Sequence, residues 1–186
     1  PASIFHQSAW HEDYAYVEDY FSRFQYLMKN GEDLTEIAII NPIESVWGLV
    51  NQYTYYGYFE TDHPLYQKIE EEYLQLYKQL WLRGISMDYI DEGLFQKYGK
   101  AENGRLICGR KGYRKIILNG NYHLRSSTWN AIRAFMAQGG QVIVVGDLPQ
   151  YLDGRPYDFS KELAGAVQLP FDMDQVYPLL ADPLVH

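Results

Sequence analysis

Apolar residues along this chain fall into two patterns, short continuous runs and longer stretches with a period of three to four residues. Continuous runs over residues 36–40 and 141–145 predict parallel strands that are buried on both faces of a sheet. Periodic positions predict helices over residues 12–30, 64–83 and 126–138. Weaker patterns predict a short helix at 94–98 and further strands at 86–90, 113–118 and, at a sheet edge, 105–108.

The order of these elements predicts the fold class. Strands alternate with helices, and right-handed crossovers place the helices on both faces of a mostly parallel sheet. We therefore expect an α/β, flavodoxin-like three-layer sandwich over residues 34–148. Residues 1–33 are expected to form an N-terminal arm and a helix that packs on this domain. Residues 149–186 form a Pro-rich C-terminal extension that either covers the sheet or leads to a further domain, and within it residues 160–167 predict a helix.

Size and charge limit the classes of partner. A chain of 186 residues is long enough for one domain with a full core. Its net charge of −8 disfavours nucleic acid and anionic membranes, since both repel an acidic surface. No apolar run approaches the roughly 20 residues of a membrane span. One basic cluster is expected to be a solvated face; its members are Arg105, Arg110, Lys111, Arg114 and Lys115.

The chain begins with Pro1 and carries neither an initiator Met nor a signal peptide, which indicates a segment of a longer polypeptide and leaves localisation open. The single cysteine, Cys108, excludes an internal disulfide. Tyrosine is in excess, with 18 residues, and its apolar ring and polar tip suit interfaces and sugar-stacking surfaces.

The most interesting acids are Asp88, within the second predicted strand, and three that follow the first two strands. Glu44 and Trp47 come just after the strand at 36–40, and Asp91 and Glu92 come just after the strand at 86–90. If the two strands are parallel neighbours, these side chains share the crevice at their carboxyl ends, where ligands of open α/β sheets bind. Two separated carboxylates are what glycoside hydrolysis requires. Acids in such loops also cap helices or contact other domains, and that interpretation is favoured here.

Tyr55 and Tyr56 belong to an aromatic stretch close to Trp47 in sequence. Such rings stack on sugars or pack against another domain, and packing is favoured because large aromatic side chains are usually buried. We expect Glu44, Trp47, Asp91, Glu92, Tyr55 and Tyr56 to face a substrate or a neighbouring domain.

Other chemistry finds little support. Cys108 lies between a strand and a turn, whereas a nucleophilic thiol needs a sharp strand-to-helix elbow. A structural cysteine is therefore favoured over a self-sufficient hydrolase or amidotransferase. The five histidines are scattered, which predicts surface histidines and no metal site. No phosphate loop is present, and Pro42 and Glu44 make a poor FMN loop, so no cofactor is expected.

Several segments together carry a family resemblance. In chain order they read HQSAW, YFSRFQYLMKNG, EIAIINPIESVW, MDYIDEGLF, KIILNG and VIVVGDLP. This set covers roughly residues 5–148 and resembles the glutamine-amidotransferase-like (flavodoxin-like) domain that follows the catalytic barrel in large bacterial glycoside hydrolases. The similarity is to enzymes of the α-L-rhamnosidase kind and, more distantly, to β-galactosidases with a trimerisation domain of this fold. The Asn119-Gly120 turn departs from the proline-containing turn expected there.

The resemblance implies that the parent protein cleaves glycosidic bonds with carboxylates on a barrel outside this chain. It implies a domain without catalytic residues that serves architecture, oligomer contacts or one wall of a sugar cleft. The expected partners are the barrel of the same polypeptide, a carbohydrate and further copies of the chain. A carbohydrate-binding or oligomerisation module that acts through the tyrosine-rich stretch remains an alternative.

Overall fold

The structure, a computed structural model, describes residues 6–31, 33–50 and 63–181. It separates into two compact units, of which one ends at Leu34 and the other begins at Thr35. The first unit contains helix α1 (Tyr14–Asn30), in which no residue is buried. Gly31, the residue after α1, has an extended conformation with φ −84°, and not the left-handed conformation in which glycine commonly ends a helix. Packing of α1 on the domain stays a prediction.

The second unit contains the remaining strands and helices. In chain order these are β1 (Ile37–Ile40), α2 (Ile43–Trp47), α3 (Pro64–Leu82), β2 (Asp88–Ile90), α4 (Glu92–Tyr98), β3 (Gly99–Glu102), β4 (Arg105–Cys108), β5 (Lys111–Tyr113), β6 (Lys115–Asn119), β7 (His123–Leu124), α5 (Ser126–Ala137), β8 (Gln141–Val145), β9 (Tyr151–Leu152), β10 (Arg155–Pro156), β11 (Val167–Leu169) and α6 (Met173–Leu180).

Five strands form the main sheet, in the order β11-β8-β6-β1-β2, and every pair is parallel. Three-stranded sheets also form from β3, β4 and β5 and from β7, β9 and β10. The prediction of an α/β fold with a parallel sheet is confirmed. The first two strands of the chain are neighbours, so their carboxyl ends meet at the same edge.

Alternate residues of the main sheet face two separate cores, as the two-residue period of a strand requires. On one face, strand residues such as Ile39 and Ile143 pack with Leu76 and Leu80 of α3 and with Val176 of α6. On the other face, the core residues include Ile40, Ile116, Val142, Phe95 of α4, and Trp129, Ile132 and Phe135 of α5. Helices therefore cover both faces of the sheet.

The C-terminal part differs from its prediction. Residues 160–165 form turns rather than a helix, and residues 167–169 form β11, the outer strand beside β8. Gly165 follows a single turn in which the Leu163 amide donates to the Phe159 carbonyl. Because pairing with β8 satisfies the following backbone groups, tertiary contact overrides the helical pattern. Helix α6 was not predicted.

Strands near the basic cluster also differ. The predicted strand at 113–118 is broken at Arg114 into β5 and β6, and β4 is the middle strand of its own antiparallel sheet instead of an edge. Arg105 and Arg114 each contact Glu36, at N–O distances of 2.9 and 3.1 Å. Lys111 lies 2.6 Å from Asp88. The expected solvated face is thus partly an ion-pair network.

The turn after α5 has no room for a side chain at Gly140, which leads to a first prediction. A Cβ atom at Gly140 would lie 2.2 to 2.3 Å from three ring carbons of the fully buried Phe135. Gly140→Ala should therefore lower the free energy of unfolding by about 1–3 kcal/mol through overpacking. Gly48→Ala, where the nearest atom is 3.6 Å away, is the control and should change it by less than about 0.5 kcal/mol. Urea unfolding measures both, and equal effects would contradict the prediction.

Candidate functional site

The candidate site lies at the carboxyl ends of β1, β2 and β6. Helix α3, which comes after β1 and α2 in the chain, packs on one face of the sheet. Helix α5, which comes after β6 and β7, packs on the other face. Between β1 and β6 the order of the sheet reverses, and such a switch point is where ligand crevices form. We name the side chains of Glu44, Glu92, His123, Arg125 and Thr128 at this edge the edge cluster.

The space between β1 and β6 at this edge is filled by Asn121, which is 2% exposed. Its Nδ2 donates to the Ile40 carbonyl at 3.2 Å, and its Oδ1 accepts from the Asn119 amide at 2.9 Å. Gly120 has a φ of +70°, which lets the chain turn back so that Asn121 reaches both strands. The side chain therefore satisfies backbone groups that a ligand in this crevice would otherwise meet.

Glu44 lies in the first turn of α2 and forms an ion pair with Arg125. The Glu44 side chain is only 9% exposed, and that of Arg125 is 35% exposed. Ser45 holds α2 in place, because its Oγ accepts from the His123 amide at 3.0 Å. Glu44 is thus directed inward and paired within the domain.

The ion pair between Glu44 and Arg125 leads to a second prediction. Arg125→Ala would leave a nearly buried carboxylate without its cation, which should lower the free energy of unfolding by about 1–2 kcal/mol, because the partly exposed Arg125 position admits some water. Arg133→Ala, inside the helix that Arg125 immediately precedes, is the matched control. Arg133 contacts Glu162 at 3.3 Å with both side chains more exposed, so its loss should cost less than about 0.5 kcal/mol. Urea denaturation at pH 8 compares them, and a larger loss for Arg133→Ala would contradict the prediction.

Glu92 opens α4 and is fully buried. Its Oε2 accepts from the Arg125 amide at 2.7 Å. Burial raises the pKa of Glu92 to about 7; the Arg125 amide and the Thr128 hydroxyl oppose that rise, and the nearby Glu44 adds to it. Glu92 Oε1 and Thr128 Oγ1 are buried and close enough to interact, but they lack good hydrogen-bond geometry. The carboxyl therefore anchors the start of α5.

The other predicted site residues have different surroundings. Asp91 caps α4, since its Oδ1 accepts from the Gly93 amide at 2.7 Å. Trp47, the last residue of α2, is 56% exposed. Tyr55 and Tyr56 lie outside the described residues. Of the predicted set, the structure thus brings Glu44 and Glu92 together around Arg125.

Two members of the edge cluster, His123 and Arg125, were not predicted as site residues from the sequence. Arg125 belongs to no motif, and the sequence predicts a surface histidine at position 123. His123 is instead half-buried, and its Nε2 accepts from the Gly154 amide at 2.9 Å. Asp153 has a φ of +48° and accepts from the Ser126 amide at 2.9 Å. The Asp153-Gly154 pair is a turn signal in the sequence, but only the fold brings that turn to the start of α5.

A small cavity lies at the same edge, between the first half of α3 and the ends of β6 and β8. Its lining includes Ile69, Glu72, Tyr122 and Leu148, and Lys68 spans its rim with Nζ 2.6 Å from Asp147 Oδ2. The volume of about 20 Å³ is enough for one water molecule and too small for a sugar.

Cys108 ends β4, where burial raises the pKa of its thiol. The following turn leads to β5 and not to a helix, so no strand-to-helix elbow presents the thiol. In the described part of the chain, no three His, Cys, Asp or Glu side chains are grouped so as to hold a metal ion. None of the described helices combines the length and apolar character of a bilayer span.

Comparisons with known proteins found no matching family model, no matching curated protein and no matching solved structure. Any function for this chain is therefore a proposal, drawn from its sequence segments and from the geometry of the edge cluster.

Proposed function

We propose that this chain is a non-catalytic accessory domain of a multidomain glycoside hydrolase, with a flavodoxin-like fold. It supports the catalytic barrel of the same polypeptide or makes oligomer contacts. One observation carries the proposal. Glu44 forms an ion pair, and Asp91 and Glu92 accept hydrogen bonds, all with groups of the domain itself.

The strand order supports the flavodoxin-like part of the proposal. Numbered along the chain, the five parallel strands have the order 2-1-3-4-5, which is the flavodoxin-like order. In that fold the crevice beside the first strand normally takes the ligand, whereas here Asn121 bridges its two sides. This arrangement suits a domain that keeps the scaffold and has lost a ligand site.

The carboxylates support the non-catalytic part. Glycoside hydrolysis needs one carboxyl group to protonate the leaving oxygen and a second to act as base or nucleophile, both in contact with the sugar. Glu92 is fully buried, Glu44 faces Arg125, and Asp91 caps α4. Each of the three carboxylates is thus engaged by groups of the domain itself. Trp47 is exposed at the same edge and is available to a neighbouring domain.

The assignment to a glycoside hydrolase rests on the resemblance of the sequence segments. The purified chain should show no turnover of aryl α-L-rhamnosides or aryl β-galactosides. Turnover that Glu44→Gln or Glu92→Gln removes would overturn the proposal, as would a glutaminase activity that Cys108→Ser removes. The coding region upstream of Pro1 should encode a barrel of alternating strands and helices with its own pair of acids, and a coding region without one would contradict it.

Calorimetric titration with rhamnose- and galactose-containing oligosaccharides separates a scaffold from a carbohydrate-binding module. A scaffold domain should give no binding heat at about 1 mM sugar. Binding that is lost in Trp47→Ala would assign the exposed tryptophan to sugar stacking and replace the proposal by the binding-module alternative.

A further inference from the structure

The edge cluster contains two acids and one guanidinium group. Glu92 is fully buried, and the side chain of Glu44 is 9% exposed. The two carboxyl groups lie close enough for their charges to interact. Within the described residues, Arg125 is the cation that faces both, since its guanidinium pairs with Glu44 and its backbone amide donates to Glu92 Oε2. One positive charge therefore serves two acids.

The charges that act on Glu92 are those of Glu44 and Arg125. Other titratable groups on the surrounding elements have partners of their own. His123 of β7 and Asp153 beyond it each accept a hydrogen bond from a backbone amide, and Asp91 caps α4. Strands β3 and β4 also pack on α4, and their ionisable side chains are engaged elsewhere: Lys100 with Glu102, Arg105 with Glu36, and Cys108 against the core. The state of Glu92 therefore depends on how Arg125 is shared.

Burial and charge balance together decide the protonation of Glu92. A buried carboxylate without a cation of its own is costly and takes up a proton instead. While Arg125 is paired with Glu44, Glu92 therefore keeps its proton. At higher pH the proton passes to solvent, and two carboxylates then compete for one guanidinium, so that the two acids titrate as a coupled pair. The Arg125 side chain is 35% exposed and carries several N–H donors, which lets it turn from one carboxylate to the other.

The two acids lie on elements that are held unequally. Helix α4 begins with a side-chain cap and buries Phe95 in the core that it shares with α5. Helix α2 has five residues, of which Ser45 is buried, and the Ser45 hydroxyl accepts a 3.0 Å hydrogen bond from the amide of the first residue of β7. Loss of the ion pair between Glu44 and Arg125 therefore affects α2 more than α4.

We propose that the edge cluster is a pH-operated latch on α2. In the latched state, protonated Glu92 leaves Arg125 to Glu44, and this ion pair holds α2 against the start of α5. In the released state, ionised Glu92 draws the guanidinium to itself, and α2 loosens. Release changes the position of Trp47, the exposed last residue of α2, and so alters the surface that this edge presents. This inference does not depend on a glycoside hydrolase parent.

Titration of the full chain by ¹H–¹⁵N NMR between about pH 5.5 and 8.5 tests the latch. The amides of Arg125 and Val46 should shift with one common midpoint near the pKa of Glu92, about 7. The Val46 amide donates to the Pro42 carbonyl within α2 at 3.2 Å. Above the midpoint its protection from hydrogen exchange should fall about three- to tenfold, because α2 then opens more often.

Three variants identify the origin of the midpoint. Glu92→Gln should abolish it. Glu44→Gln should lower it by at least about one pH unit, because Arg125 then pairs with Glu92 alone. Glu162→Gln is the matched control, since this carboxyl pairs with Arg133 outside the cluster. It should leave the midpoint within about 0.2 pH unit of the parent value.

Each contrary result overturns the latch. A midpoint that persists in Glu92→Gln, or a parent chain without a midpoint, would show that Glu92 does not operate it. A midpoint that Glu44→Gln leaves unchanged would show that the two acids do not share Arg125. Constant protection of the Val46 amide across the midpoint would show that Glu92 titrates without release of α2.

Discussion

Trp129→Ala should lower the free energy of unfolding by about 3–5 kcal/mol, the largest loss expected for a single substitution in this domain. Trp129 lies on α5, is 1% exposed and packs edge-on against Phe159 with ring centroids 4.9 Å apart. Both rings belong to the core between α5 and the main sheet. The loss combines the transfer of an aromatic side chain with the cavity that the rigid strands cannot fill.

A second tryptophan on the same domain provides the control. Trp81→Ala removes a side chain that is 65% exposed and should change the free energy of unfolding by less than about 0.5 kcal/mol. Urea unfolding of both variants and of the parent chain, under the same conditions, measures the two losses. Similar losses for the two variants would show that Trp129 does not occupy a core position between α5 and the main sheet.

The stability of the domain should fall as pH rises from about 4.5 to 7 because of Glu92. Its folded pKa is raised to about 7 from the usual 4.5, and burial is the main cause. Below 4.5 the carboxyl is protonated in both the folded and the unfolded state, so it carries no penalty. Between the two values the unfolded chain ionises while the folded chain holds its proton. Above pH 7 the carboxyl is ionised in both states, and the free energy of unfolding is lower than at pH 4.5 by on the order of 3 kcal/mol because of this group.

Two substitutions at Glu92 separate charge from hydrogen bonding. Glu92→Gln keeps an acceptor for the Arg125 amide and carries no charge, so it should remove this pH dependence and stabilise the domain at pH 8. Glu92→Leu also lacks the charge but leaves the amide without an acceptor, so it should be less stable than Glu92→Gln at every pH. Urea unfolding between about pH 4 and 8 measures the slope. If the free energy of unfolding of Glu92→Gln fell with pH as steeply as that of the parent chain, Glu92 would not be the cause of the pH dependence.

Much of the fold follows from local patterns. The runs at β1 and β8 are apolar on both faces, and the chain can bury such a run only between two layers of helices. Helices α3 and α5 follow from the spacing of Leu76, Leu80, Trp129 and Ile132. These elements were predicted because strand and helix periods are properties of neighbouring residues.

Contacts between distant residues could not be predicted in this way. The segment after Pro149 carries a weak helical pattern, yet it supplies β11 because β8 presents an open edge to it. Arg125 immediately precedes α5 and has no motif of its own, although it connects Glu44 and Glu92. Asn121 sits in a turn typical of surface loops, and its role follows only from its distances to Ile40 and Asn119.

The amino-acid sequence by itself determined the layered α/β class and the edge at which Glu44, Asp91 and Glu92 gather, because both depend on periods of two and 3.6 residues and on strand direction. Only the tertiary structure decided that the Glu44 and Glu92 side chains are buried within the domain and that Asn121 fills the crevice. Arg125 contacts Glu92 from 33 positions away, and Asn121 contacts Ile40 from 81 positions away. Burial and pairing depend on where the folded chain places such distant groups, which no local pattern encodes.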